Sequence, residues 1–220
     1  MEAVAFDMDG VLVDVRESYR KAILETAAKF GVKGTTGDVQ EIKNSGGFNN
    51  DWDAACELIR RKSGKKPSRG KVIEEFQKIY LGDKWNGYIL NERMLVGKEV
   101  LAYLRKRYKL GIATGRPRAE AEFVLKRFGV RDYFSSLKCM EDASKEKPDS
   151  EALDLVAGEI GKEMAYVGDC VDDILAAKRG GYVAVGVVET CGDKKGLTDR
   201  LLEAGADYVL EKVDDLRGVF

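Results

Sequence analysis

Val4-Ala5-Phe6-Asp7-Met8-Asp9-Gly10-Val11-Leu12-Val13-Asp14 is the stretch on which the reading of this chain turns. The apolar run before Asp7 predicts a buried strand. It ends in two carboxylates one residue apart, and then a glycine. Alternate residues of an extended chain share a face, so Asp7 and Asp9 point the same way if extension continues. Two like charges side by side repel unless a cation sits between them or one keeps its proton. Gly10 permits the tight turn that lifts both onto the rim of a sheet. In open α/β sheets that rim, at the carboxyl ends of the strands, is where ligands bind. Taken alone, the pair also fits a charged surface turn, so the rest of the chain has to decide.

Composition narrows the chemistry. The 220 residues allow one large domain or two small ones, and an apolar fraction of 44% supports a packed core. Charged residues make up 34%, yet 37 cations and 38 anions leave a net charge of -1, so no basic excess points to nucleic acid. No apolar run approaches the ~20 residues that cross a bilayer, so no membrane partner is expected. With a strand starting almost at Met1, no leader is expected and the location is read as cytoplasmic. Cys56, Cys139, Cys170 and Cys191 are widely spaced with no C-x-x-C pair, which fits reduced thiols. Histidine is absent. That removes Ser-His-Asp and Cys-His catalysis and any His-ligated metal, leaving carboxylates, hydroxyls, lysines and hard cations.

Beyond Asp14 the periodicity turns helical. Helices are predicted over Arg16–Phe30, from an Asp38 N-cap to Ile42, from Asp51 to Arg61 and from Ser68 to Leu81, so residues 15–91 read as a helical block. From Gly97 helices and apolar runs alternate. Strands are predicted at 109–114, 135–140, 164–168, 183–187 and 207–210. Helices are predicted at 117–128, from Asp149 or Ser150 to Ile160, and at 172–179, where Asp172 reads as the cap. This alternation implies a mainly parallel, Rossmann-like α/β sheet flanked by helices. The first strand cannot stand alone and must join the later sheet. Residues 1–14 and 92–220 are then the core, and 15–91 an inserted α-helical cap domain.

Three further places could carry chemistry. Thr114 ends a strand, and Gly115-Arg116-Pro117 turns into a helix; a hydroxyl beside helix N-terminal N–H groups is a ready anion site, or simply a helix cap. Arg116 adds a planar cation there, either clamping an anion or solvated. Lys147 precedes a proline and a helix start, and by spacing alone is an unremarkable lysine. Gly168-Asp169-Cys170-Val171-Asp172-Asp173 again ends a strand in acids, hard oxygen ligands of the sort Mg²⁺ takes.

In that order these segments resemble the four motifs of the haloacid dehalogenase-like hydrolases, and the resemblance extends over essentially the whole chain, within a phosphoglycolate phosphatase-like subgroup whose helical cap follows the first motif. The resemblance implies that Asp7 is a nucleophile toward phosphate and Asp9 a general acid/base. It implies that Thr114 and the Gly115 N–H hold the phosphate, and that Lys147 offsets its charge. Mg²⁺ would be held by Asp7, Asp9 (through its backbone carbonyl) and Asp169, with Asp173 binding it or orienting its waters. An acid at Asp9 separates phosphatases and phosphomutases from dehalogenases. The expected substrate is a small phosphorylated metabolite, with phosphoglycolate and histidinol phosphate as candidates, and the chain is expected to be a monomer or homodimer. Asn49, Asn50 and Trp52 on the cap loop, with Arg116 on the rim, are candidate substrate contacts, although Trp52 could equally pack between cap helices. A sugar phosphomutase and a non-catalytic binding module are the alternatives.

Overall fold

The computed structural model describes residues 1–45, 48 and 50–220. The chain forms two compact units, Met1–Asp14 with Met94–Phe220, and Val15–Arg93. It leaves the first unit after β1 (Ala3–Phe6) and a two-residue strand, β2 (Val13–Asp14). The second unit carries α1 (Tyr19–Lys29), α2 (Thr36–Asn44), α3 (Asp51–Ser63), α4 (Arg69–Leu81) and a 3-10 turn at Tyr88–Asn91. The chain returns through β3 (Arg93–Met94). There follow α5 (Lys98–Arg105), β4 (Lys109–Ala113), α6 (Arg118–Arg127), β5 (Ser136–Lys138), α7 (Glu151–Ile160), β6 (Met164–Gly168), α8 (Val171–Arg179), β7 (Val183–Val187), α9 (Lys194–Glu203) and β8 (Tyr208–Leu210).

The main sheet has six strands in the order β5-β4-β1-β6-β7-β8, and its neighbours pair in parallel. β1 lies in the middle, with Ala3 opposite Lys109 on one side and Met164 on the other. All four of its residues are buried, as expected of a parallel strand covered on both faces. From β1 the chain builds outward through β4 and β5, then returns to β1's other side with β6. That reversal is the switch point where the strand ends splay to open a crevice. Gly111 lets α7 press onto β4, since a Cβ there would stand 2.6 Å from a Val156 methyl. Val156, Ile160, Tyr166, Ile174 and Ala184 belong to the apolar cluster on that face of the sheet.

In the second unit Tyr19 stacks on Tyr80 with ring centroids 4.3 Å apart. Buried Glu92 accepts hydrogen bonds from the Ser18 hydroxyl (3.0 Å) and the Tyr80 hydroxyl (2.8 Å). Two cap assignments change. α2 starts from Thr35, not Asp38: Thr35 accepts from the Asp38 N–H while the Asp38 carboxylate accepts from the Thr35 N–H, a reciprocal capping box. α8 starts from Cys170, and Asp173 rather than Asp172 closes its first turn. α9, absent from the sequence reading, is capped by Asp193, which accepts from the Gly196 N–H at 3.0 Å. No helix among the described residues is long and apolar enough to cross a membrane.

Candidate active site

The site forms where β1, β4 and β6 end. The Asp7 N–H donates to the Val167 carbonyl at 2.8 Å, so the chain stays in register with β6 one residue beyond β1. It then folds back: the Leu12 and Val13 N–H groups both donate to the Met8 carbonyl at 2.9 Å, and the Gly10 N–H donates to the Val13 carbonyl at 2.8 Å. Gly10 has φ +77°, and a Cβ on it would lie 1.9 Å from Asp169 Oδ2. Only a residue without a side chain lets the Asp169 carboxylate lie against this turn.

Lys147 joins the first and last motifs. Its Nζ donates to Asp7 Oδ1 at 2.8 Å, Asp173 Oδ1 at 2.6 Å and the Tyr166 hydroxyl oxygen at 3.0 Å. The Tyr166 hydroxyl in turn donates to the Ala113 carbonyl at 2.9 Å. The loop bearing Lys147 is fixed from both sides. Glu151, in the first turn of α7, accepts from the Ser144 and Lys145 N–H groups (3.1 and 2.9 Å), and Arg179 donates to the Pro148 carbonyl at 2.7 Å. Burial alone would lower the Lys147 ammonium pKa; Asp173 and Asp7 outweigh it and raise it well above its ordinary value, so the lysine stays charged.

The carboxylates show the opposite balance. Burial raises Asp7, with Lys147 pulling against it and Asp173 adding repulsion. Burial followed by repulsion from Asp173 and Asp7 raises Asp169 well above the carboxylate range. A crowd of acids held this way suits a hard divalent cation, which would restore their charged forms. The ligand atoms of Asp169, Cys170 and Asp173 lie within 4.8 Å of one another. Burial and the neighbouring Asp173 and Asp169 push the Cys170 thiol well above its usual value, so it stays protonated. It donates to Asp173 Oδ2 at 3.1 Å. The donor set is therefore oxygen, which fits Mg²⁺ better than a soft metal. Asp173, fully buried, also accepts from the Asp169 and Cys170 N–H groups at 3.1 and 3.2 Å. These contacts hold Lys147 and shape the loop that presents Asp169.

At the end of β4, Thr114 is buried and its N–H donates to the Lys138 carbonyl at 2.9 Å. Its hydroxyl accepts from the Arg116 N–H at 3.3 Å, while α6 itself starts from Pro117. Thr114 therefore does not cap α6. Gly115 is exposed, and a Cβ on it would meet nothing within 4 Å, which leaves its backbone open to an incoming anion. Arg116 is not solvated. Its side chain is buried and paired with Asp9, Nε donating to Oδ1 and Nη2 lying against the same oxygen.

Asp7, Asp9, Thr114, Gly115, Arg116, Lys147, Asp169 and Asp173 thus all belong to the first unit: Asp7, Asp9, Thr114, Gly115, Arg116 and Asp169 just past the ends of β1, β4 and β6, Lys147 on the loop before α7 and Asp173 in the first turn of α8. Asn50 and Trp52 belong to the second. Asn50 caps α3, its side chain accepting from the Trp52 and Asp53 N–H groups at 3.0 and 3.4 Å, and Trp52 is half-buried. Asn49 lies outside the described residues. Sequence reasoning missed Tyr166 and Cys170. The available signal was a tyrosine in an otherwise aliphatic strand, because a buried phenol needs a hydrogen-bond partner.

This fold, with acids at the ends of two adjacent central strands and a lysine reaching back between them, agrees with direct comparison. The haloacid dehalogenase-like hydrolase family matches residues 1–181, and the chain belongs to that family. Among curated relatives, an imidazoleglycerol-phosphate dehydratase of Phytophthora nicotianae is 35% identical over 97% of this chain, which spans about half (49%) of that protein's length. A phosphorylated carbohydrates phosphatase of Thermotoga maritima is 30% identical over 100% of this chain and 98% of its own. A Haemophilus somnus 129pt structure predicted to be a phosphoglycolate phosphatase superposes with TM-score 0.82 at 19% identity, covering 100% and 97% of the two chains. A Thermotoga maritima structure provisionally named beta-phosphoglucomutase gives TM-score 0.72 at 28% identity over 100% and 98%.

Proposed function

We propose that the protein is a Mg²⁺-dependent phosphatase that hydrolyses a small phosphate monoester through an aspartyl phosphate on Asp7. The observation that carries this reading is the Lys147 ammonium, 2.8 Å from Asp7 and reaching the same end of the sheet as Thr114 and Asp169. A carboxylate attacks a phosphate dianion only where positive charge is already in place. Asp7, the Asp9 carbonyl and Asp169 would hold Mg²⁺, which supplies charge to the transferring group when bound. Thr114 and the Gly115 N–H hold the phosphate. In the first step an Asp7 oxygen bonds to phosphorus, the bond to the leaving oxygen breaks, and that oxygen takes a proton from Asp9. In the second, a water oxygen bonds to phosphorus, Asp9 takes a proton from it, and the bond between phosphorus and Asp7 breaks, freeing inorganic phosphate.

The expected substrate is a small phosphorylated metabolite in the cytoplasm, met by a monomer or homodimer without nucleic acid or membrane. Histidinol phosphate is supported by chemical class: the Phytophthora relative is named for another imidazole-bearing phosphate ester. Phosphoglycolate is the other candidate, supported by relatives of 28% and 29% identity named phosphoglycolate phosphatase. Residues 15–91 act as the cap that selects among substrates, with Asn49, Asn50 and Trp52 as its contacts. A phosphomutase is the competing reading, favoured by the neighbour provisionally named beta-phosphoglucomutase. Phosphate release from a panel of metabolite phosphates with Mg²⁺ distinguishes them, since a mutase isomerises a hexose phosphate with little release. Asp7→Asn should abolish release; full activity in that variant would remove the covalent mechanism.

A further inference from the structure

We propose that Arg116 is the positioning residue for Asp9, anchoring its carboxyl group and stabilising the negative charge left on it when Asp9 gives up its proton. The assignment rests on the phosphatase reading above and says which residue makes its acid step work.

The geometry is unlike that of a surface ion pair. The Arg116 side chain is 1% exposed, against 30% for Asp9. An arginine drawn inside costs desolvation unless its partner is well placed, and here the buried partner is the cation while the acid stays part-exposed. Nε donates to Oδ1 and Nη2 lies against the same oxygen, so that carboxyl oxygen is anchored beside the guanidinium. The arginine backbone is itself clamped, its N–H on the Thr114 hydroxyl at 3.3 Å and its carbonyl accepting from the Met140 N–H at 2.9 Å. The segment expected to hold the phosphate thus also sets the position of the acid.

The chemistry follows from where charge appears. When the proton moves from Asp9 to the leaving oxygen, a negative charge returns to the carboxyl group that Arg116 engages. Donors preorganised around an atom where charge develops stabilise the transition state. The benefit scales with how far the proton has moved. It is large for an alkyl alkoxide, which needs the proton to depart, and small for a nitrophenolate, which does not.

Leaving-group dependence therefore provides the test. kcat/KM covers the steps through departure of the leaving group, so it isolates the acid step from later hydrolysis. With Mg²⁺ present, kcat/KM would be measured for 4-nitrophenyl phosphate and for ethyl phosphate in the wild type, Arg116→Gln and Arg116→Lys. General acid catalysis contributes at least ~100-fold, so losing its positioning in Arg116→Gln should lower the ethyl ester at least ~10-fold more than the nitrophenyl ester. Arg116→Lys keeps the charge but loses the planar guanidinium that meets Oδ1 with two nitrogens, and should give an intermediate ratio. Equal losses on the two esters, or an unchanged ratio in both variants, overturns the assignment. If Arg116→Gln does not fold, the ratio in Arg116→Lys decides in the same way. A wild type without phosphatase activity, or an active Asp7→Asn, would instead remove the phosphatase reading itself.

Discussion

Replacing Lys147 with methionine keeps most of the side chain's length and removes the cation lying 2.8 Å from Asp7 and 2.6 Å from Asp173. At an effective dielectric near 20, unit charges about 3 Å apart attract by about 6 kcal/mol. Two such attractions are offset by taking three charged groups out of water, which costs several kcal/mol for each ion. The measurable quantity is the penalty of leaving the acids without their cation, about 3–5 kcal/mol when one partner of a buried pair is removed. In a chain of this size that is a fall in Tm of about 6–20 °C, at roughly 2–4 °C per kcal/mol. Urea unfolding followed by circular dichroism, with EDTA so that no divalent ion substitutes for the ammonium, reads the loss directly. Asp173→Asn completes a double-mutant cycle, because asparagine can still accept from the Asp169 and Cys170 N–H groups. In the double variant the methionine faces one carboxylate fewer, so its destabilisation should fall short of the sum of the singles by at least ~1 kcal/mol. A loss under ~1 kcal/mol in Lys147→Met, the scale of an exposed lysine, would refute the reasoning. So would strict additivity.

Gly10→Ala places a methyl 1.9 Å from Asp169 Oδ2 in a left-handed turn. It should cost about 1–2 kcal/mol of backbone strain and weaken Mg²⁺ binding at least ~10-fold by displacing a ligand; unchanged affinity by calorimetry counts against this placement of Asp169. Burial raises the carboxyls of Asp7 and Asp169. A raised folded-state pKa gives stability that is present at pH below the ordinary carboxylate range and lost as pH rises through the raised value. Mg²⁺ needs the ionised forms, so binding should release protons and tighten with pH across that window; calorimetry in buffers of different ionisation enthalpy showing no proton release would contradict it. In the second unit, Glu92→Ala removes the acceptor of the Ser18 and Tyr80 hydroxyls. Ser18 keeps the Val15 carbonyl as an acceptor, so at about 1–3 kcal/mol for the buried Tyr80 donor so deprived it should destabilise more than Glu92→Gln in urea titrations, and equal losses would show that packing rather than hydrogen bonding sets the cost.

What local sequence reveals, and what it hides, follows from where each signal originates. Met164–Gly168 and Val183–Val187 read to the residue because a parallel strand buried on both faces is a continuous apolar run, bounded in the first case by Glu163 and Asp169. α9 was illegible because only Leu201 in it is buried, so it carries no apolar stripe. The cap of α2 was misplaced because Thr35 and Asp38 fill reciprocal places in one box, and either residue type alone would serve as a cap. Asp7 and Asp169 stood out because a carboxylate ending an apolar strand conflicts with stability unless chemistry or a cation accounts for it. Lys147 and Arg116 lacked any such conflict: lysines and arginines beside loops are ordinarily solvated, and nothing near them in sequence says otherwise. Their burial is set by partners 140 and 107 residues away. Those partners meet only because the sheet order puts β1 between β4 and β6. An acid in an apolar strand can therefore be read locally, whereas the cation that neutralises it becomes visible only once the strand order is known. Arg116, which the sequence left between clamp and solvent, is placed beside Asp9 by that order rather than by its own neighbours.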